Sequence, residues 1–413
     1  MIRFRTMSAF LYPVLAGYCI ASAQETLRAY ADKIGLNIGT CIFSGAYRNQ
    51  EYSDVLTSEF NTIVCENEMK ASSMQPQRGQ FSFGTADQMV AFAEENDMKV
   101  RGHTLVWHAQ NPGWLSGGSW TRETLLEQMR LHIEGVVGHY KGKVFEWDVV
   151  NEAFSDGSSG GMRNSFWKRT IGEDFLDSAF AYAHRADPAA ILFYNDYNTS
   201  NVNAKSTAVY NRVKKMLENG IPISGIGFQS HQTLEEYTPE FIESLKENFD
   251  RFAELGLQIS VTELDIRITL PSDRDELDKQ GDYYREYLET FLANPACKSF
   301  MIWGFTDRYS WVPGTFPGTG DALLFTSNYQ PKPAYTGLFD ALENYEPDAV
   351  VPSDRSRTGL ASTLFRISGN GSGDIFNLRG EKVGTYLPVT GARRMANQVV
   401  VNRNTAHPMV LMK

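Results

Sequence analysis

Short apolar runs alternate along the chain with longer segments whose apolar residues recur with helical spacing. The short runs are rich in β-branched and aromatic residues, which is typical of buried strands, whereas the longer segments have the pattern of amphipathic helices. The pattern predicts eight strands, at residues 37–42, 62–69, 99–107, 144–152, 191–198, 225–231, 258–265 and 299–307. It predicts helices between them, at residues 85–97, 122–140, 175–186, 204–219, 239–255 and 282–293.

The order of these elements predicts the fold class. Repeated strand–helix units favour an α/β fold in which parallel strands close into a (β/α)8 TIM barrel. An open, doubly wound sheet is the competing arrangement, but such sheets commonly carry a glycine-rich phosphate loop after the first strand. No such loop follows residues 37–42. We therefore predict a closed barrel over residues 24–347.

Polar and aromatic side chains gather where the predicted strands end. Barrel enzymes build their sites at the carboxyl ends of several strands at once. Because these clusters come at the same point of successive strands, we predict that they form one site. The clusters contain Glu66, Asn67 and Lys70; His103, Trp107 and His108; Asn151 and Glu152; Asn195 and Asp196; Gln229 and His231; Glu263 and Asp265; and Trp303 and Asp307.

The first residues have the pattern of a secretory signal. Arg3 and Arg5 precede a mostly apolar stretch at residues 9–20, and Ala21-Ser22-Ala23 provides the small residues of a cleavage site. The stretch is shorter than the roughly 20 residues of a helix that spans a bilayer. We therefore predict that residues 1–23 are a signal peptide cleaved near Ala23, that the protein is secreted, and that it has no membrane span.

The end of the chain differs from the barrel. Residues 348–362 are predicted to be a linker because they contain proline and a Ser/Arg/Thr stretch. Residues 363–413 are predicted to form a small β-rich C-terminal appendage with strands at 363–368, 375–378, 383–387 and 398–402. It contains no tryptophan, which disfavours a sugar-binding role. Residues 375–383 resemble the C-terminal sorting or attachment modules of some Gram-negative polysaccharide degraders.

Charge and cysteine content narrow the class of partner. The 413 residues carry a formal net charge of −10, which argues against nucleic acid because phosphate binding needs clustered cations. A neutral polysaccharide can be bound without clustered cations.

Removal of the signal leaves Cys41, Cys65 and Cys297, an odd number without metal-ligand spacing. Export permits one disulfide among them, and we expect a monomer.

Two glutamates end predicted strands and have the chemistry of a glycosidase. Cleavage of a glycosidic bond needs a proton for the leaving oxygen and a negative group for the anomeric carbon. Glu152 ends the fourth strand and Glu263 the seventh. A carboxylate at the end of a buried strand is costly unless it is paired or solvated. Either glutamate alone is equally compatible with a salt bridge at the barrel rim, but the pair favours catalysis.

Six motifs, one per strand, resemble the signatures of glycoside hydrolase family 10, the endo-β-1,4-xylanases. The resemblance spans residues 27–345, in order, and implies a retaining mechanism on xylan and xylo-oligosaccharides. The motifs are ENEMK at 66–70, RGHTLVWH at 101–108, WDVVNE at 147–152, GFQSH at 227–231, TELD at 262–265 and WGFTD at 303–307.

The resemblance implies a role for each matched residue. Glu152 becomes the acid/base and Glu263 the nucleophile, with Asn151 on the sugar 2-hydroxyl. His231 and Asp265 support the nucleophile, and Asp148 is a partner of the acid/base. The implied substrate contacts are Glu66, Asn67, Lys70 and His103 as a polar clamp, Trp107, Trp303 and Trp311 as walls, Gln229 as a further hydrogen-bonding group, and Tyr197 or Tyr194 on the leaving-group side.

Several alternatives remain open at this point. Lys70 has the alternative of an ordinary solvated lysine, and we interpret Trp147 and Trp167 as core residues. His103 and His108 are five positions apart on a strand and its exit, which disfavours a metal pair, so we predict no metal and no cofactor. Ala71 and Asn111 depart from the family pattern at the distal clamp. The rival functions are a β-1,4-glucanase of the same barrel type and an inactive barrel that only binds polysaccharide.

Overall fold

The computed structural model describes residues 25–157 and 160–346, together with four strands nearer the C-terminus. The chain divides into two compact units, Met1–Glu346 and Pro347–Lys413, and each is described by itself. The predicted signal peptide at 1–23, the linker at 348–362 and the strand at 363–368 lie outside the described residues.

Parallel strands in the first unit close into a barrel. Each strand pairs with the next in sequence, and β1 also pairs with β8, with Asn37 opposite Ser299. The predicted (β/α)8 TIM barrel is therefore confirmed. The strands are β1 Asn37–Ile42, β2 Thr62–Cys65, β3 Lys99–Gly102, β4 Val144–Asn151, β5 Ile191–Asp196, β6 Gly225–Phe228, β7 Gln258–Thr269 and β8 Cys297–Ile302.

Helices occupy the segments between the strands. Several begin at a side-chain cap, such as Thr121, whose hydroxyl accepts from the Thr124 backbone N–H. The main helices are Leu27–Ile34, Gln50–Glu59, Gly84–Glu95, Arg122–His139, Phe175–Ala186, Ala204–Glu218, Pro239–Glu254, Arg274–Leu292 and Pro333–Glu343. Short helical turns lie at Ala71–Met74, Gly113–Ser116, Phe166–Ile171, Leu234–Glu236, Asp307–Tyr309 and Val312–Thr315.

Some predicted boundaries were wrong. The strand predicted at 99–107 is interrupted, and Val106–Trp107 forms a separate strand beside β4. The strand predicted at 225–231 likewise ends at Phe228 and resumes as His231–Thr233 beside β7. The helix predicted from residue 282 begins at Arg274, because Asp273 and Glu276 cap each other's backbone N–H groups at 2.9 Å.

The barrel interior combines an apolar core with one buried ion cluster. Arg101 is fully buried and contacts Glu146 at 2.6 Å and Asp148 at 2.5 Å. Such a cluster is tolerated in a core only when its charges are paired.

Trp147 and Trp167 are buried, which confirms their interpretation as core residues. Cys41, Cys65 and Cys297 are free thiols. Among residues 25–157 and 160–346, no helix has both the length and the hydropathy of a bilayer span.

The second unit contains two antiparallel hairpins. Gly373–Phe376 pairs with Lys382–Tyr386, and Gln398–Val401 pairs with Met409–Met412. Three of these strands overlap the strands predicted at 375–378, 383–387 and 398–402. The strand Met409–Met412 was not predicted.

Candidate active site

A cleft of about 510 Å³ opens at the carboxyl ends of the barrel strands, and Glu152 and Glu263 both line it. Most of the residues predicted for the site line this cleft; those that do not are Asn67, His108, Asp148, Tyr194, Asn195, Asp196, Asp265 and Asp307. The strand-end clusters are therefore brought together in space, because parallel strands present their carboxyl ends at one rim of a barrel.

Glu152 receives hydrogen bonds from uncharged donors. Trp107 donates its indole N–H to Oε2 at 2.8 Å, and Gln229 donates its amide to Oε1 at 3.0 Å. His108 Nδ1 lies 3.7 Å from Oε2. Burial and the nearby charge of Arg163 lower the pKa of His108, which favours its neutral form. The carboxyl group is thus fixed in direction by donors of little charge.

The backbone of Glu152 adopts a conformation that is costly for a residue with a side chain. Its φ is 55°, in the left-handed region that L-residues rarely adopt outside constrained sites. Two contacts hold it there: Glu152 N donates to Asn195 O at 2.9 Å, and Arg163 Nε donates to Glu152 O at 3.1 Å. Arg163 also donates to the Tyr197 hydroxyl at 2.9 Å. Sequence analysis missed Arg163, because it lies in a loop and its target is a backbone carbonyl.

Glu263 is held by one amide and one imidazole. Asn195 Nδ2 donates to Oε1 at 2.8 Å, and His231 Nε2 lies 3.3 Å from Oε2. Glu263 is only 5% exposed. Burial alone would raise its pKa, but the hydrogen bond from His231 and the surrounding cationic charge hold the pKa below its usual value. The structure therefore favours the ionised carboxylate.

His231 connects Glu263 to a second carboxylate. Its Nδ1 lies 2.8 Å from Asp265 Oδ2, which also accepts from Trp311 Nε1 at 2.8 Å. Burial disfavours the charged imidazole, yet Asp265 and Glu263 outweigh this and raise the pKa of His231 to about 10. The imidazolium can thus donate from both ring nitrogens at neutral pH. The predicted arrangement of His231 between Asp265 and Glu263 is present.

Three amide side chains connect the surroundings of the two glutamates. Asn151 Oδ1 accepts from Asn195 at 3.0 Å and from Gln229 at 3.1 Å. Asn195 also donates a hydrogen bond to Glu263, and Gln229 also donates one to Glu152. Asn195 was noted as a strand-end residue but was not selected as a site residue. Gly227 leaves room for this side chain, because an added Cβ there would lie 2.4 Å from Asn195 Oδ1.

Asp148 was predicted to be a partner of Glu152, and the structure contradicts this. Asp148 instead contacts Arg101 at 2.5 Å and His103 Nδ1 at 2.9 Å. Burial would raise the pKa of Asp148, but Arg101 and His103 lower it. Asp148 lies too deep in the barrel to reach Glu152, because it is four residues earlier on the strand, or roughly 13 Å back along an extended chain. It orients His103, which lines the cleft.

Two further residues predicted to contact the substrate, Tyr194 and Asn67, do not line the cleft. Tyr194 is not a wall, because its ring is buried and its hydroxyl accepts from Ala153 N at 3.0 Å and donates to Asp196. Tyr197 takes the position at the cleft. Asn67 does not line the cleft, but its side-chain oxygen accepts from Lys70 at 3.2 Å and from Gln110 at 3.1 Å.

Lys70, His103 and Trp303 also line the cleft. Lys70 is 7% exposed and lies 5.0 Å from the centre of the Trp107 ring, so it is not an ordinary solvated lysine. Trp303 packs edge-on against His103 at 5.3 Å between ring centres.

Within the described part of the chain, no group of three or more His, Cys, Asp or Glu side chains is arranged to hold a metal ion.

Comparison with known proteins identifies the family. The sequence model of glycosyl hydrolase family 10 matches residues 26–341. The chain belongs to this family. Endo-1,4-beta-xylanase B of Thermotoga neapolitana is 46% identical over 79% of this chain and 94% of its own length. Endo-1,4-beta-xylanase 1 of Humicola insolens is 41% identical over 78% of this chain and 75% of its own.

Solved structures of the family superpose on the barrel. Native xylanase 10B of Thermotoga maritima matches with a TM-score of 0.74 at 46% identity, covering 77% of this chain and 98% of that one. Xylanase 10B of Thermotoga petrophila, solved in complex with xylobiose, also matches with a TM-score of 0.74 at 46% identity, covering 77% and 97%. The resemblance predicted from the six motifs is therefore confirmed, and the chain is a glycoside hydrolase.

Proposed function

We propose that this family 10 hydrolase is a retaining endo-1,4-β-xylanase that cleaves internal bonds of xylan by double displacement. The observation that carries the proposal is that two of the carboxyl groups lining one cleft have different surroundings, Glu263 beside a cation and Glu152 beside neutral donors. Relatives at 46% and 41% identity are named endo-1,4-beta-xylanases, which supports xylan as the substrate.

Glu263 acts as the nucleophile in the first step. Its ionised oxygen attacks the anomeric carbon, and the bond to the leaving sugar breaks as a glycosyl-enzyme ester forms. His231 and Asn195 support this role because both donate to the carboxylate and keep it aimed. Asp265 in turn fixes the imidazole through Nδ1.

Glu152 acts as the acid and then as the base. It donates a proton to the leaving oxygen, and in the second step it removes a proton from the water that attacks the ester. Two inversions at one carbon restore the original configuration. Trp107 and Gln229 support this role by fixing the direction of the carboxyl group, while Arg163 holds its backbone.

The remaining cleft residues hold the sugar chain. Asn151 is assigned to the 2-hydroxyl of the reacting xylose, a contact that strengthens in the transition state. The walls Trp107, Trp303 and Trp311 suit the apolar faces of a pyranose. Glu66, Lys70 and His103 supply hydrogen bonds, and Tyr197 lines the same cleft. None of these steps uses a cofactor.

Secretion is part of the proposal. It rests on the N-terminal pattern, in which Arg3 and Arg5 precede an apolar stretch and a cleavage site near Ala23. A polymeric substrate such as xylan is met outside the cell, which agrees with export. The C-terminal unit is assigned to sorting or attachment, on the resemblance of residues 375–383.

The test follows the configuration of the new reducing end. Proton NMR of fresh digests is expected to show the β-anomer first, with the α-anomer growing in by mutarotation. Initial appearance of the α-anomer would overturn the retaining mechanism. Parallel digests of xylan and hydroxyethyl cellulose separate the two hydrolase rivals, because a preference for cellulose would exclude a xylanase. Absence of reducing ends from both would favour the inactive binding barrel.

A further inference from the structure

Arg267 lies on the wall of the cleft, on β7 and four residues beyond Glu263. Its side chain is half-buried. It lies face-on to Phe316 at 4.1 Å from the ring centre and donates one 3.4 Å hydrogen bond to Gln232 O. Across residues 25–157 and 160–346, no carboxylate forms an ion pair with it. A guanidinium has five donors, so most of its capacity is unused by the described residues.

The position of Arg267 is fixed by aromatic packing. Phe316 packs edge-on against Trp311 at 5.5 Å between ring centres, and Trp311 is anchored on Asp265. The guanidinium plane is thus connected, through two rings, to the support of the proposed nucleophile. A cation held in this way loses little side-chain entropy when it binds a ligand, since the planar fork is already oriented.

An unsubstituted xylan chain is neutral and therefore offers no anionic partner for the charge of Arg267. The protein carries a formal net charge of −10, and the cleft itself contains Glu66, Glu152 and Glu263. An anionic substituent entering this cleft is therefore repelled unless a cation offsets the field. Arginine is suited to the purpose because its two parallel N–H groups match the two oxygens of a carboxylate.

We infer that Arg267 binds the carboxylate of a uronic acid substituent on the xylan chain, which makes the cleft selective for acidic xylan. This inference rests on the proposed xylanase function and specifies the substrate of the same site. Two other cations line the cleft near the glutamates: Lys70 is already bonded to Asn67 and packed over Trp107, and His231 is held between Glu263 and Asp265. Arg267 is therefore the residue that distinguishes charged from neutral substrate.

The test compares glucuronoxylan with the same polymer after its carboxyl groups have been reduced to alcohols, so that bulk is matched and charge is removed. Wild-type kcat/KM is expected to be about tenfold higher on the acidic polymer, with the difference shrinking as salt is added. Arg267→Gln is expected to lose the preference, so that the ratio of its kcat/KM values on the two polymers falls to about one. Arg267→Lys is expected to keep part of the preference. Arg274→Gln, at an exposed arginine paired with Asp278, is the matched control.

The outcomes separate the two proposals. A wild-type enzyme that is active on both polymers without preference, or an Arg267→Gln variant that keeps the preference, would overturn the role of Arg267 and leave the xylanase function intact. A wild-type enzyme that hydrolyses neither polymer would overturn the proposed function, and this inference with it.

Discussion

Glu152 and Glu263 have different surroundings within the cleft. The Glu263 side chain is 6% exposed and lies beside His231, a cation that Asp265 stabilises from behind. The Glu152 side chain is 13% exposed and receives its hydrogen bonds from one indole and two amides. One group therefore has a positive partner, while the other has directional partners of little charge.

This difference matches what the two proposed roles require. A nucleophile must stay ionised, and a neighbouring cation favours the charged form. An acid/base must gain and lose a proton within each cycle, so a permanent cation beside it would oppose protonation. The side-chain surroundings therefore support the proposed roles without reference to the family motifs, and the predictions below test those roles.

Glu263→Ala is expected to have the largest effect, a loss of about a thousandfold or more in kcat on any xylan substrate. Without the carboxylate no glycosyl-enzyme forms. Added azide is expected to enter the vacated space and attack from the same side, giving a single displacement and an inverted α-glycosyl azide. Mass spectrometry and NMR identify that product.

A matched control uses Glu254→Ala, at an exposed residue near the end of the helix Pro239–Glu254. It is expected to keep wild-type activity, and far-ultraviolet circular dichroism checks that both variants are folded. A Glu263→Ala enzyme with a near-normal rate, or with a retained azide product, would refute the nucleophile assignment.

Glu152→Ala is expected to have a smaller effect that depends on the leaving group. On xylan, where the leaving alcohol needs a proton, kcat is expected to fall about 10² to 10⁴-fold. On an aryl xylobioside with an acidic phenol, formation of the glycosyl-enzyme is expected to stay fast, with a burst of phenol followed by slow turnover. Azide then releases a β-glycosyl azide, the opposite anomer from Glu263→Ala. Equal losses on both substrates would contradict the acid/base role.

The sequence predicted the presence of the strands more accurately than the residues at which they end. Buried runs such as β1, Asn37–Ile42, were found because apolar β-branched residues are dense there. Periodicity does not detect where the backbone leaves the hydrogen-bond ladder, so the breaks after Gly102 and Phe228 were missed. The helix from Arg274 was predicted too late because its first turns are highly charged, and only the Asp273–Glu276 cap marks its beginning.

The site was predictable to the extent that strand ends meet at one rim. Glu152, Glu263 and His231 were found in this way, and the motifs added their roles. Asp148 and Tyr194 were misjudged because strand position does not give the depth or direction of a side chain. Arg163 left no pattern in the sequence, since a loop residue bound to a carbonyl has neither periodicity nor motif.

His231→Gln is expected to have the smallest effect of the three, and it tests the cation directly. The hydrogen bond and charge of His231 lower the pKa of Glu263, so their removal lets that pKa rise. Glu263 then becomes protonated, and inactive, at a higher pH than in the wild type. The acidic limb of the kcat/KM profile is therefore expected to move to higher pH, with a modest loss at the optimum.

The control for this variant is His184→Gln, at an exposed histidine of the helix Phe175–Ala186, whose profile is expected to match the wild type. A merely structural role for His231 would lower activity at every pH without moving the acidic limb. Such a result would mean that the neighbouring Asn195 and the depth of the cleft, rather than the cation, keep Glu263 ionised, and the contrast between the two carboxyl groups would then rest on geometry alone.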